Sequence, residues 1–256
     1  HTKLLGWAAR GDPDSLTWET DEPPPRDLAR ILDANGAGEA PVLMAGVVPD
    51  YRDELAARFT RIGRDVLRFR DELAPRIEIV PRPPERVGDD RIAGALGALA
   101  LDSKRPWVVV DVGTAMTISA VTPAQGGALP RFEGGLILPG TTTSLMALAE
   151  YTAQLPRFDR LPVYGWVHSS FIGRSTQEAM LRGVYKAQIA AAIALARGQA
   201  HELGPRTRIA LTGGGAADPG FATEFQEAFR SGTVVPHPDL VHLGLFSAWQ
   251  ASRAGA

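Results

Sequence analysis

The chain has 256 residues, enough for one large domain or two medium ones, and 45% of them are apolar, ample for a core. Lys and Arg number 27 against 29 Asp and Glu. A net charge of −2 with no basic block argues against nucleic acid or an anionic membrane as main partner. Cysteine is absent, which excludes a disulfide framework, a zinc–cysteine site and a thiol nucleophile, and fits a reducing cytoplasm. No apolar run approaches the ~20 residues of a membrane span, and the opening "HTKLLGWAARGDPD" holds no signal-peptide core.

In chain order, residues 2–9 and 15–20 read as two strands joined by the turn-rich "ARGDPDS". "PPPRDLARILDANG" is a helix, prolines before it and Gly36 as its stop. "APVLMAGVVP" reads as a buried strand, "DYRDELAARFTRIG" as an amphipathic helix ending at Gly63, and "RIEIV" as a further strand. After the stiff bend Pro81–Pro84, "DDRIAGALGALALDS" has helical spacing with small residues. The second half restarts the theme. "WVVVDVG" and "AMTISAV" form a hairpin, "RFEGGLILPG" adds a strand, and "TTTSLMALAEYTAQL" is a helix halted by Pro156. A long helix runs from about Ser175 to Glu202, and "RIALTGGG" is a strand entering a glycine turn. The expected architecture is α/β, with two hairpin-first lobes, residues 1–103 and 104–256, meeting near Ser103.

Four stretches can carry chemistry. In "DVGTAMTISAV" a strand delivers Asp111 to its end, followed by Gly113 and the hydroxyls of Thr114 and Thr117. This is either a hairpin tip whose Asp and Thr bond their own backbone, or a phosphate loop with backbone N–H groups facing an anion. A carboxylate beside phosphate makes sense when a cation lies between them. "ERVGDDR" sets two acids and Arg91 at a helix start. The acids can cap the helix, or the group can hold an acidic substrate on Arg91 and deprotonate its hydroxyl with an Asp. "LTGGGAA" is a plain turn or a bare platform for a flat ring or phosphate, and "LPGTTTSL" precedes a helix whose N-terminus can bind an anion.

The order of these stretches resembles the actin, hexokinase and heat-shock ATPase superfamily, and in detail the type III pantothenate kinases. The likeness rests on "GDDR" at 88–91, "DVGTAMTISAV" at 111–121, "GGLILPG" at 134–140, "TAQLP" at 152–156, "GRST…G" at 173–183, "LTGG" at 211–214 and "PDLVHLGL" at 238–245. It implies two ribonuclease-H-like lobes with mixed sheets, ATP with Mg²⁺ between them, and transfer of phosphate to pantothenate at the start of coenzyme A synthesis. By position, Asp90 is implied as general base on the pantothenate hydroxyl. Gly88, Asp89 and Arg91 line that substrate, with Arg91 on its carboxylate. Asp111 is implied as ligand of a potassium or ammonium ion, with Gly113 and Thr114 at ATP phosphate. Thr212, Gly213 and Gly214 lie near the nucleoside, and Thr152 contacts pantothenate across a homodimer interface. A cytoplasmic enzyme is the expected setting. With only three lysines, Lys3, Lys104 and Lys186, none in a phosphate motif, metal ions and backbone amides carry the charge neutralisation.

Three departures stand out. The family's first phosphate loop, Asp-x-Gly-Asn-Thr, has no counterpart before "HTKLLGW", so this chain is expected to be truncated and feeble in catalysis. The tyrosine that usually precedes the "GxDR" glycine by seven residues is Pro81, and the acid usual after the threonines is Ser119. These changes leave an alternative: a kinase-like protein that binds without turnover, as an accessory factor of the Bvg type.

Overall fold

A computed structural model describes residues 2–6, 14–18, 40–46, 49–158 and 170–254. The predicted helix over 23–36 lies outside them. Ahead of residue 70, β1 (Thr2–Gly6) and β2 (Asp14–Trp18) form an antiparallel pair. β3 (Val42–Met44) and β4 (Val66–Arg68) pair in parallel, an arrangement that needs the long crossover the intervening helix supplies. That helix, α1 (Pro49–Arg61), buries Leu55, Ala56 and Phe59 against Met44.

The large sheet has the order β10-β9-β6-β7-β8-β5. Its members are β5 (Glu78–Ile79), β6 (Trp107–Val112), β7 (Ala115–Thr122), β8 (Arg131–Pro139), β9 (Arg208–Thr212) and β10 (Val234–Pro236). β6, β7 and β8 are an antiparallel meander, while β9 and β10 add in parallel beside β6. A meander extended in parallel from its first strand is the ribonuclease-H-like topology expected of the second lobe. β5 joins from the first half, in parallel with β8, and its pairing is only two residues long. Proline at 81 has no N–H to extend the ladder. The sequence reading of "RIEIV" as a full strand therefore overshoots; two of its five residues pair with β8.

Helices cover both faces. α2 (Asp89–Leu101) and α6 (Leu240–Ala254) lie on one, α4 (Thr176–Leu203) and α5 (Pro219–Glu227) on the other. α3 (Thr141–Tyr151) packs beside α4. α4 begins where the sequence places it, with Ser175 accepting from the Glu178 N–H at 3.2 Å. By length and composition α4 could cross a membrane, yet Leu181, Tyr185, Ile189, Ala192 and Ala196 form a stripe buried on the sheet. The structure adds β4, β10, α5 and α6, where the sequence reading names no element.

The period-2 alternation of β6 decides the site. Val108, Val110 and Val112 face the α4–α5 layer, while Trp107 and Val109 face α2 and α6. Asp111 follows in the second set. A carboxylate in a central strand thus emerges on the face where α2 begins.

Candidate active site

α2 starts at "GDDR" after a 3-10 turn, Pro84–Arg86, and its cap residue Gly88 supplies no side-chain cap. The start is instead held from outside. Arg70, in the turn after β4, donates from Nε to Asp89 Oδ1 at 2.6 Å, from Nη1 to the Pro84 carbonyl at 3.2 Å, and from Nη2 to the Val87 carbonyl. Asp89 is thereby committed to a partly buried ion pair. Asp90 is differently placed. One of its oxygens accepts the N–H of Arg91 at 2.8 Å, and it forms no ion pair among the described residues.

Arg91 reaches from α2 to the sheet. Its Nε donates to Ser119 Oγ at 3.1 Å, and the guanidinium lies 5.2 Å from the centre of the Phe132 ring. Its Nη2 is buried without a hydrogen-bond partner among the described residues. Burial pulls the Arg91 pKa below its ordinary value, and the charge of Asp90 opposes that shift. A guanidinium this enclosed is suited to an incoming anion.

Asp111 lies beside Thr117 on β7 and Thr212 on β9 in the strand register. Burial, with the charge of Asp90 second, pushes its carboxyl up to about 6. The two acids therefore share one electrostatic environment. Gly213, at φ +93°, completes the cradle: a Cβ there would stand 2.3 Å from Asp111 Oδ1. No group of three or more acids and histidines suited to a metal is found among the described residues. Asp111, partly buried and without an ion-pair partner among the described residues, fits a single cation held partly by hydroxyl and carbonyl oxygens.

The turn after β6 is closed by Gly113 N–H on the Ala115 carbonyl, leaving Thr114 exposed. The Thr114 carbonyl accepts from Thr143 Oγ1 at 2.7 Å and from the Gly140 N–H at 2.9 Å. These bonds fix the turn to the start of α3. The Thr212 hydroxyl sits 3.5 Å from the Pro238 carbonyl and the residue is 2% exposed; Gly213 is half-buried against Asp111 and Val112, and Gly214 and Gly215 form the exposed part of the "TGGG" turn. Just beyond, Asp218 accepts from the Phe221 N–H at 2.8 Å and from the Tyr185 hydroxyl, anchoring that turn to α4.

Gly88, Asp90, Arg91, Asp111, Gly113, Thr114, Thr212, Gly213 and Gly214 thus gather where α2 meets the ends of β6 and β9. Thr152 does not join them. It follows α3, which starts at the Thr114 turn and runs 11 residues, about 16 Å, away from it. There it borders an apolar groove of about 350 Å³ with Leu148, Tyr151 and Val184. Arg70 escapes sequence reasoning because it sits 19 residues from its partner with no motif around it.

A sequence model of the type III pantothenate kinase family matches residues 19–197. The type III pantothenate kinase of Dehalococcoides mccartyi is 36% identical over 171 residues, covering 67% of this chain and 59% of that protein. That of Persephonella marina is 30% identical over 192 residues, covering 73% and 71%. Among solved structures, a Campylobacter jejuni protein described as a Baf family transcriptional activator shares the fold, with a TM-score of 0.50 at 16% identity, covering 87% of this chain and 89% of that one. The match thus spans about three fifths of the Dehalococcoides relative's length. The chain belongs to the type III pantothenate kinase family.

Proposed function

We propose that the protein transfers the γ-phosphate of ATP to the primary hydroxyl of pantothenate, giving 4′-phosphopantothenate, the first step of coenzyme A synthesis. The observation that carries this is the unequal fate of two adjacent acids: Asp89 is tied to Arg70, while Asp90 forms no ion pair among the described residues and lies next to the enclosed guanidinium of Arg91. Asp90 then takes the hydroxyl proton as the phosphoryl group leaves ADP. Arg91 receives the substrate carboxylate, with Gly88 beside it. Gly113 and Thr114 face the ATP phosphates, and Gly213 and Gly214, backed by Thr212, face the nucleoside. Asp111 is the residue to hold a potassium or ammonium ion, and with Mg²⁺ on the nucleotide such cations supply positive charge to the phosphates.

Thr152 reaches a site only if a second copy brings its own α3 there, so the functional form is a homodimer. The exposed Met146 and Tyr151 of α3, 47% and 87% accessible, support that arrangement. We place the protein in the cytoplasm, with the lobe boundary near Ser103.

A second reading, binding without turnover, is favoured by Pro81. Its ring lies 3.3 Å from where a Gly134 Cβ would be, and so occupies the wall beside β8. A coupled ADP-release assay with pantothenate and potassium separates the two. Asp90→Asn is expected to lower kcat about 10²–10⁴-fold with pantothenate still bound. Retention of more than a tenth of the rate removes Asp90 as base. Pantothenate binding by the parent chain with no ADP release supports the second reading.

A further inference from the structure

We propose that Arg70 is the positioning residue of this site, clamping the segment Pro84–Asp89 so that Asp90, and not its neighbour, is the free carboxylate. The inference rests on the role given to Asp90 above. Arginine offers a planar fork of five N–H donors, and all three nitrogens of Arg70 are engaged on that segment: Nε on Asp89, Nη1 on Pro84 and Nη2 on Val87. The pair is partly sheltered, with side chains 26% and 12% exposed, where a charge-assisted bond is strong. Apart from Val87, whose side chain is buried in the core, the segment has few other anchors. Gly88 provides no side-chain cap, and the turn is closed by backbone bonds from Arg86 and Val87 at 3.2 and 3.3 Å.

Position follows from charge as well as from geometry. Asp89, Asp90 and Asp111 bring three carboxylates to one end of the sheet. Arg70 neutralises Asp89, and Arg91 stands next to Asp90. Without Arg70, Asp89 is left partly buried and uncompensated, and the first turn of α2 has to rotate or fray to hydrate it. Asp90, one residue on, moves with it. Of the positions the resemblance assigns to the substrate, Arg70 touches Asp89, which this ion pair makes structural, and it acts through the segment it holds.

The test compares the full chain with Arg70→Met, Arg70→Lys, Asp89→Asn and the Met/Asn double variant. Amide hydrogen exchange without any ligand is expected to rise about 10-fold over residues 84–91 in Arg70→Met, with β6 and α4 unchanged. In the ADP-release assay kcat is expected to fall about 10–100-fold, the cost of a misplaced reacting group, with the KM for ATP moving less than about 3-fold. Arg70→Lys, which cannot span three acceptors, recovers only part of the rate. The double variant is no worse than Arg70→Met, since both remove the same contact. Unchanged exchange over 84–91 in Arg70→Met overturns the clamp, as does an equal rise across the whole core. A parent chain that releases no ADP defeats the proposed function, but the exchange comparison needs no substrate and still decides the clamp.

Discussion

Asp111 pays for its central position in protonation energy. Its carboxyl, ordinarily near 3.8, is pushed up to about 6 in the folded chain, first by burial and then by Asp90. Between those values the folded chain holds a proton that the unfolded chain has released. Stability therefore falls as pH rises from about 4 to about 6 and levels off above. The full shift corresponds to about 3 kcal/mol. Asp111→Asn is expected to remove that slope and to be the more stable form at pH 7 in urea unfolding without potassium; a variant as steep as the parent would show that another group titrates. If the carboxylate holds a potassium ion, adding potassium at pH 7 raises the Tm of the parent and leaves that of Asp111→Asn unmoved. Gly213 belongs to the same scale. Its φ of +93° and the 2.3 Å approach to Asp111 Oδ1 leave no room for a side chain. Gly213→Ala is expected to cost about 1–3 kcal/mol in chemical denaturation and to weaken ATP binding.

At the level of elements, the α2–α6 crossing fixes where the acids stand. α2 is apolar nearly all round, as a helix between a sheet and another helix has to be. Its Gly97 lies against the Leu240 carbonyl, and Gly244 of α6 lies against Ala93, where a Cβ would come within 1.7 Å of the carbonyl oxygen. Gly244→Ala is therefore expected to destabilise the fold by about 3 kcal/mol, read as a lowered urea midpoint with an unchanged slope. Ser175→Ala is milder. Losing the hydroxyl that accepts the Glu178 N–H costs about 1 kcal/mol. Element existence was largely legible. The hairpin at 107–122, the helix from Asp89 and the capped start of α4 all follow from local periods and caps. α6 was not, because "LVHLGLFSAWQASRA" is apolar on several sides and takes its meaning from α2, more than a hundred residues upstream.

Across the whole molecule, one chain supplies most of the candidate site but leaves Thr152 apart, beside the α3–α4 groove. A dimer at micromolar concentration is the expected state by sedimentation. Met146→Glu with Tyr151→Glu is expected to yield a monomer that stays folded but loses pantothenate binding. A dimer surviving both changes would place the interface elsewhere.

By itself the sequence determined the α/β class, the hairpin-first second lobe and the ordered motifs that mark the family, because strand alternation, helix caps and glycine turns are set by neighbouring residues. Tertiary structure decided the rest. "GDDR" offers two equivalent acids on paper, and only the arrival of Arg70, from a turn 19 residues earlier, makes Asp89 structural, while Asp90 forms no ion pair among the described residues. Likewise Arg91 meets Ser119 and Phe132 only once β7 and β8 are laid beside α2. Ion pairs and desolvation depend on which distant groups share a low-dielectric space, and that is a property of packing rather than of local pattern.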